Sequence, residues 1–373
     1  MDIIFSHKSA LEYWRLHSDT KNSDLEKQKK KRSKKRPPVS FPRATDICGI
    51  ATSELSYPIS IMLGSKNANQ KSEIFRTHVY TGQAPGGCFV GIGEGLAVSS
   101  PSFCFFQMAN ELPLAKLIEL GFELCGTYSL PAKSRHDDDS RSGHGGGQSN
   151  GEEIDDRILH GDRAIGIDYN AYREWEEAVA KTSYSDGEEI VDKTVYGHPR
   201  LTNTKELKNL TARMKSVNGQ KKACRALRYI LDGSASPMET ILCMLLTLPH
   251  KLGGYGLPAP ELNRRVDIGD TSKNRSGKSF YVCDLFWPKA GLAVEYDSDS
   301  YHSGADRIAA DSRKRLELAT LGITVITVTS RQVRNAIEFE GLAKLISRKV
   351  GKQLRYKNPE FQKAHRELRS MLL

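Results

Sequence analysis

No stretch of this sequence approaches the ~20 consecutive apolar residues that a membrane-spanning helix needs. The opening residues, MDIIFSHKSALEYWR, turn polar after five positions, too early for a secretory signal core. The chain therefore reads as cytoplasmic, with no membrane contact expected. It also lacks any Cys-x-x-Cys pair or Cys/His cluster with zinc spacing. Its seven cysteines, at 48, 88, 104, 125, 224, 243 and 283, are odd in number, and several sit inside apolar runs. That is the usage of buried, reduced thiols, so neither a disulfide scaffold nor a cysteine-bound zinc is expected. Negative charge is missing from one segment altogether. KQKKKRSKKR, residues 27–36, holds eight positive charges and no acid.

Charge is what the chain has in excess. The net charge is +10, and the rest of the chain outside 27–36 carries only +2 of it. Residues 301–373 contain 15 Lys/Arg against 7 Asp/Glu, so acidic segments between the two ends offset them. This asymmetry suits a polyanion such as DNA, and it equally suits a solvated tail and a basic helix face. Lys29, Lys30, Lys31, Arg32, Lys34, Lys35 and Arg36 could touch phosphates without sequence preference, or form a charged tether. Arg313, Arg315, Arg331 and Arg334, on two later helical stretches, could line a DNA backbone path or serve as a solubilising face.

With 373 residues, 38% apolar and 27% charged, the chain has room for two domains and a linker. Residues 1–42 read as a short helix, from Ser9 to about His17, followed by a basic linker ending at Pro37-Pro38. Leu11, Trp14 and Leu16 are its packing candidates. Residues 43–130 read as an α+β accessory domain. YPISIML, EIFRTHVYT and GCFVGIGE have strand composition. Two helices follow, the first capped by Ser100 with Pro101 at its first position. Phe105, Phe106, Met108 and Ala109 in the first helix, and Leu114, Leu117, Ile118 and Leu120 in the second, are core candidates. Residues 131–203 form a polar, flexible insertion. His136 with Asp137, Asp138 and Asp139 is set aside there, because a mobile loop lacks the partners that orient metal ligands.

Residues 204–373 carry the chemistry. Two helical stretches over 204–231 lead to a buried helix opened by Ser236, Pro237 and Glu239. Strands are expected over 261–268, 279–286 and 291–298. A helix from Ala305 to Leu321, a strand over 323–329 and one helix from Gln332 to Val350 complete the domain. The strands bring Asp284, Glu295 and Asp297 to their ends, with His302 shortly after. Burying an unpaired carboxylate is costly, and three acids close together repel one another unless a cation joins them. Glu295 and Asp297, two apart on a strand, share a face. The acid cluster suits a divalent metal and a water, or alternatively a salt-bridged strand end. Asp311 and Arg315, four apart on one helix, have ion-pair spacing.

The element order, with Glu239, Asp284 and Glu295 in these places, resembles the restriction-endonuclease-like (PD-(D/E)XK) superfamily. Asp284-Leu285, Trp287-Pro288, Val294-Glu295-Tyr296-Asp297, Tyr301-His302, Asp311, Arg315 and Leu321-Gly322-Ile323 resemble very-short-patch-repair endonucleases and related nuclease-like domains of the DUF559 kind. The likeness covers about 221–350. It implies an α/β fold, a mixed sheet flanked by helices in the order αβββαβ, and a metal-dependent DNA endonuclease or nickase. Mg²⁺ or Mn²⁺ would be held by Asp284, Glu295 and Glu239, with His302 as general base or acid and Asp297 holding a water or orienting His302. The sequence departs from the family at Asp297, where a lysine is usual. Residues 1–130 separately resemble the architecture of AbiEi-type antitoxins. That likeness implies a DNA- or protein-binding regulator whose partner would be a toxin-like nucleotidyltransferase.

Overall fold

The computed structural model describes residues 3–18, 32–33, 37–40, 42, 55–70, 72–93, 95–132, 193–268, 279–297, 305–354 and 358–373. Among them no helix is long and apolar enough to cross a membrane. The protein is a mixed α/β structure with two mixed sheets flanked by helices and one small antiparallel pair.

The first sheet has six strands in the order β2-β5-β6-β1-β3-β4: β1 (Ile3–Phe5), β2 (Arg32–Ser33), β3 (Ile59–Leu63), β4 (Phe75–Val79), β5 (Phe89–Gly93) and β6 (Leu96–Ser99). β1 lies inside it, parallel to β6 and antiparallel to β3. Residues 3–17 are therefore part of the unit expected over 43–130, and Arg32 and Ser33, expected in the linker, pair antiparallel with β5. The reason is apolar content: Ile3, Ile4 and Phe5 are fully buried, and three such side chains gain more inside a sheet than in a tether. Helix α1 (His7–Leu16) packs on this sheet and on α2 (Pro101–Met108). Leu11 and Trp14 are buried as expected, whereas Leu16 is exposed. Trp14 Nε1 donates to the Ser99 carbonyl at 2.8 Å, so its polar atom is satisfied inside the core. Ser100 Oγ accepts from Phe103 N, and every residue of α2 is buried. Helix α3 (Leu114–Leu124) buries Leu117, Ile118 and Leu120 and leaves Leu114 half-buried.

The pair β7 (Tyr128–Ser129) and β8 (Val195–Tyr196) brackets the segment expected to be a flexible insertion, of which 133–192 lies outside the described residues. Helices α4 (Thr204–Arg213) and α5 (Gln220–Ala226) follow. Then come α6 (Pro237–Thr247), β9 (Glu261–Asp267), β10 (Phe280–Trp287), β11 (Leu292–Asp297), α7 (Ala305–Thr320) and β12 (Thr324–Thr329), in the element order read from the sequence. The second sheet runs β12-β11-β10-β9, antiparallel except for the β11–β12 pair. Gly291, at φ +54°, closes the β10–β11 hairpin where a Cβ would meet the Gly322 carbonyl at 2.6 Å.

The helix expected over 332–350 is two: α8 (Ser330–Arg334) and α9 (Ala336–Lys349). Asn335 adopts extended geometry between them, and its side chain accepts from Ile337 N and Glu338 N, so an N-cap breaks the run. Helix α10 (Pro359–Leu372) ends the chain. One continuous cluster of buried apolar residues runs from Ile3 to Leu372 and includes Leu285, Trp287, Leu292, Val294 and Val328 of the second sheet. A smaller cluster, Ile268, Tyr281, Cys283, Phe286, Ala293, Leu318 and Ile323, lies between that sheet and α7. Of the six cysteines among the described residues, all are free and only Cys224 is exposed.

Candidate functional site

The site forms where β10 and β11 part. Their ladder pairs Trp287 with Leu292, Phe286 with Ala293 and Leu285 with Val294. Beyond it the Asp284 carboxylate takes the next backbone donor, with Tyr296 N–H reaching Oδ2 at 2.8 Å. Side-chain alternation also slips here. Tyr281 and Cys283 pack in the cluster under α7, whereas Leu285 and Trp287 pack in the main core. In a regular strand all four would share a face. Asp284 is the residue at the slip.

On the other side of Asp284, the β9 register runs from Cys283↔Arg264 to Leu285↔Leu262, which sets Asn263 opposite it. Asn263 has φ +47°, a left-handed conformation rarely taken by a strand residue with a side chain. From it, Nδ2 donates to Glu239 Oε2 at 2.6 Å and to the Gly233 carbonyl at 3.0 Å. Glu239 stands in the first turn of α6, where Ser236 Oγ accepts from its N–H and its Oε2 also accepts from Ala235 N at 3.0 Å. Glu239 is buried and close enough for its charge to act on Asp284.

Glu295 faces α7. Lys314 Nζ lies 2.5 Å from its Oε2 and donates also to the Val282 carbonyl at 2.9 Å. Glu295 Oε1 is buried with no hydrogen-bond partner among the described residues. Burial, reinforced by Glu239, pushes the Asp284 carboxyl up to about 6, against the opposing pull of Tyr296 N–H and Lys314. Burial also raises the Glu295 carboxyl, with Lys314 opposing and Asp284 adding to the rise. Burial and the Glu295 charge push the Cys283 thiol to about 12, so it is an inert neighbour and not a nucleophile. Two carboxyls held high in one place mark negative charge that the protein alone leaves under-neutralised. A hard cation would relieve that charge, and the orphaned Glu295 Oε1 is an oxygen ligand of the kind Mg²⁺ takes. The donors are oxygens of the kind Mg²⁺ takes, although among the described residues Asp284, Glu295 and Glu239 do not converge as a group of three ligands.

Asp284 thus neighbours both Glu239 and Glu295, coupled to each through charge. Asp297 is half-buried at the end of β11, opposite Thr329 and on the Glu295 face. His302 lies outside the described residues, as do Lys29, Lys30, Lys31, Lys34, Lys35 and Arg36. Arg32 is placed in β2, away from the second sheet in sequence and in sheet order. Arg313, Arg315, Arg331 and Arg334 are exposed. Arg331 lies 3.6 Å from Glu338, and Arg334 donates to the Leu373 carbonyl at 3.4 Å. Asp311 and Arg315 do not form the ion pair their spacing allows; Arg315 remains in solvent, where such a pair is worth little. Two residues of the site escaped the sequence reading. Lys314 lies four residues before the buried Leu318, a lysine on an inward stripe. Asn263 interrupts a strand with a residue that disfavours strands and tolerates the left-handed region.

The chain is similar to two uncharacterized proteins of Mycobacterium tuberculosis, from strains CDC 1551 / Oshkosh and H37Rv. Each is 28% identical over 129 residues, 35% of this chain and 43% of the relative. The match thus spans under half the length of the curated relatives. No family model and no solved structure matches the chain.

Proposed function

We propose that residues 204–373 form a restriction-endonuclease-like unit acting as a metal-dependent DNA endonuclease or nickase. One observation carries this reading: Asp284 and Glu295 neighbour one another where β10 and β11 part, with one buried oxygen of Glu295 lacking a partner among the described residues and Lys314 on the other. The strand-three position usually held by lysine is Asp297, and Lys314 brings an ammonium to the same carboxylate from α7.

Asp284 and Glu295 would hold Mg²⁺ or Mn²⁺, with Glu239 contributing directly or through water. The bound ion would supply charge neutralisation at the scissile phosphate and lower the pKa of a water. Lys314 would donate to a phosphate oxygen or orient the attacking water, since an ammonium pinned between Glu295 and the Val282 carbonyl needs little reorganisation. Asn263 and Ala235 N–H fix Glu239. Asp297 lies on the same face for water positioning. The exposed Arg313 and Arg315 on α7 are suited to phosphate contacts, with DNA the partner.

The test is incubation of purified protein with supercoiled plasmid, single-stranded and mismatched DNA, with Mg²⁺ or Mn²⁺, beside Asp284→Ala. Metal-dependent nicking lost in the variant is the expected result; no cleavage of any substrate overturns the proposal. A second reading has its own support, because Lys314 already neutralises part of Glu295 without a metal. In that reading the unit is a catalytically altered nuclease fold serving an antitoxin-like regulator. DNA binding that is intact in Asp284→Ala, with no cleavage by either protein, would select it.

A further inference from the structure

The six-stranded sheet carries a second constellation, remote in sequence from the acid cluster. His7, His78 and Glu111 each place a ligand-type atom near the others, with all three atoms within 4.8 Å of one another. His7 follows β1 as the first residue of α1, His78 lies on β4, and Glu111 stands between α2 and α3. Three separate segments therefore converge. His78 Nδ1 is 3.9 Å from Glu111 Oε1, and the two imidazole rings stack with centroids 3.5 Å apart and planes 14° apart, so one ring must turn for both in-plane lone pairs to meet one ion.

Several features suit this place to a ligand. His78 Nε2 is buried without a hydrogen-bond partner among the described residues, an omission that buried polar atoms seldom show. His7 has φ +47°, a left-handed conformation that a non-glycine residue adopts only under strain. That conformation is held from outside: His7 N donates to Gln107 Oε1 at 3.1 Å, and the His7 carbonyl accepts from Cys104 Sγ. Ser6 Oγ sits 3.1 Å from His7 Nδ1, an outer partner that orients the ring and leaves Nε2 to face elsewhere. The His78 and Glu111 side chains keep 18% and 26% exposure, so solvent has access.

We propose that His7, His78 and Glu111 form a binding site for a borderline transition-metal ion, Zn²⁺ first among them. Two imidazoles and a carboxylate are a donor set for zinc that leaves a fourth position open to water. The same set is poor for Mg²⁺, which takes oxygen ligands. The site and the Asp284–Glu295 cluster would thus select different ions. Burial, then His78 and Arg76, keep His7 well below its usual value, and burial with Arg76 brings His78 to about 4. Burial raises the Glu111 carboxyl against the pull of Arg76 and Lys8. Those two cations oppose a bound metal, so the ion is exchangeable and is removed by a chelator.

The probe is Zn²⁺ alone, titrated calorimetrically into full-length protein stripped with EDTA, with Co²⁺ absorption as a second readout. The Asp284→Ala background removes the other cluster. One equivalent of Zn²⁺ is expected there, with a visible Co²⁺ ligand-field band. Adding His78→Ala should abolish both in a protein whose circular dichroism is unchanged. Ser6→Ala, which touches only the outer partner, should weaken binding by about 10–100-fold. No zinc equivalent in the Asp284→Ala protein overturns the proposal, as does full binding by the folded His78→Ala protein.

Discussion

Lys314 and Glu295 are locked together across the helix–sheet interface, with Nζ 2.5 Å from Oε2 and the same ammonium on the Val282 carbonyl. The pair is lopsided. One carboxylate oxygen has a cation, while the other is buried with no hydrogen-bond partner found for it among the described residues. If the site cleaves DNA, that asymmetry is its working state, with lysine on one side and metal on the other. Replacing Lys314 by Met should then lower the nicking rate by about 10²-fold or more, the scale for losing a positioned donor. It should also lower metal-free stability by roughly 1–3 kcal/mol, since Glu295 loses its partner. Single-turnover nicking and urea unfolding in EDTA measure the two effects separately.

The raised Asp284 carboxyl makes a pH prediction. Its folded value is about 6, against 3.8 for the ordinary group. The folded protein thus holds this proton more tightly than the unfolded chain does. Stability is lost as pH climbs from about 3.8 to 6, and the loss is complete above that window. Asp284→Asn should raise Tm in EDTA at pH 8, with the gain shrinking as pH falls and vanishing below the window. Added Mg²⁺ should stabilise wild type at pH 8 and not the variant. Thermal melts across pH with and without Mg²⁺ provide the check.

Asn263 joins a strained backbone to a positioned carboxylate. Asn263→Ala keeps the left-handed strain and loses both side-chain hydrogen bonds, whereas Asn263→Gly loses only the bonds. The Ala variant should be the less stable by about 1 kcal/mol. Both should reduce nicking by a similar factor, because both release Glu239. Equal stability of the two variants in denaturant titration would count against the strain at this position.

Arg15 and Glu123 make a bidentate buried pair, Nε to Oε1 and Nη2 to Oε2, each at 2.8 Å. Leu130 N adds a third donor to Glu123. Arg15→Met leaves the carboxylate buried with one backbone partner and should destabilise by about 3–5 kcal/mol. Arg15→Met with Glu123→Leu should recover most of that loss. Chemical denaturation of the single and double variants tests it.

The element order from α6 to β12 was legible because each segment has its own periodicity and end signals. Ser236 and Pro237 open α6, β-branched residues fill β12, and an apolar run broken only by Asp284 marks β10. The acids were legible because apolar strands rarely contain them. Lys314 and Asn263 were not, since their roles depend on which residue lies across from them, and periodicity within one segment carries no such information. The β10 phase slip at Asp284 was hidden for the same reason: the strand reads as regular until two different cores are seen on its two sides. The place of β1 was missed because three apolar residues are too short a run to show periodicity. His7, His78 and Glu111 lie 71 and 33 residues apart in sequence and meet only through the sheet.

The interior position of β1 bears on how the chain is made. Ile3, Ile4 and Phe5 are synthesised well before their partners on β6, which are Leu96, Ala97 and Val98. Synthesis at ~5–20 residues per second puts roughly 5–20 s between the two. For part of that interval β1 can pair only with β3, and its β6 side stays open. The nascent chain thus carries a chaperone-accessible edge on β1, and closing the sheet waits on a segment more than ninety residues downstream.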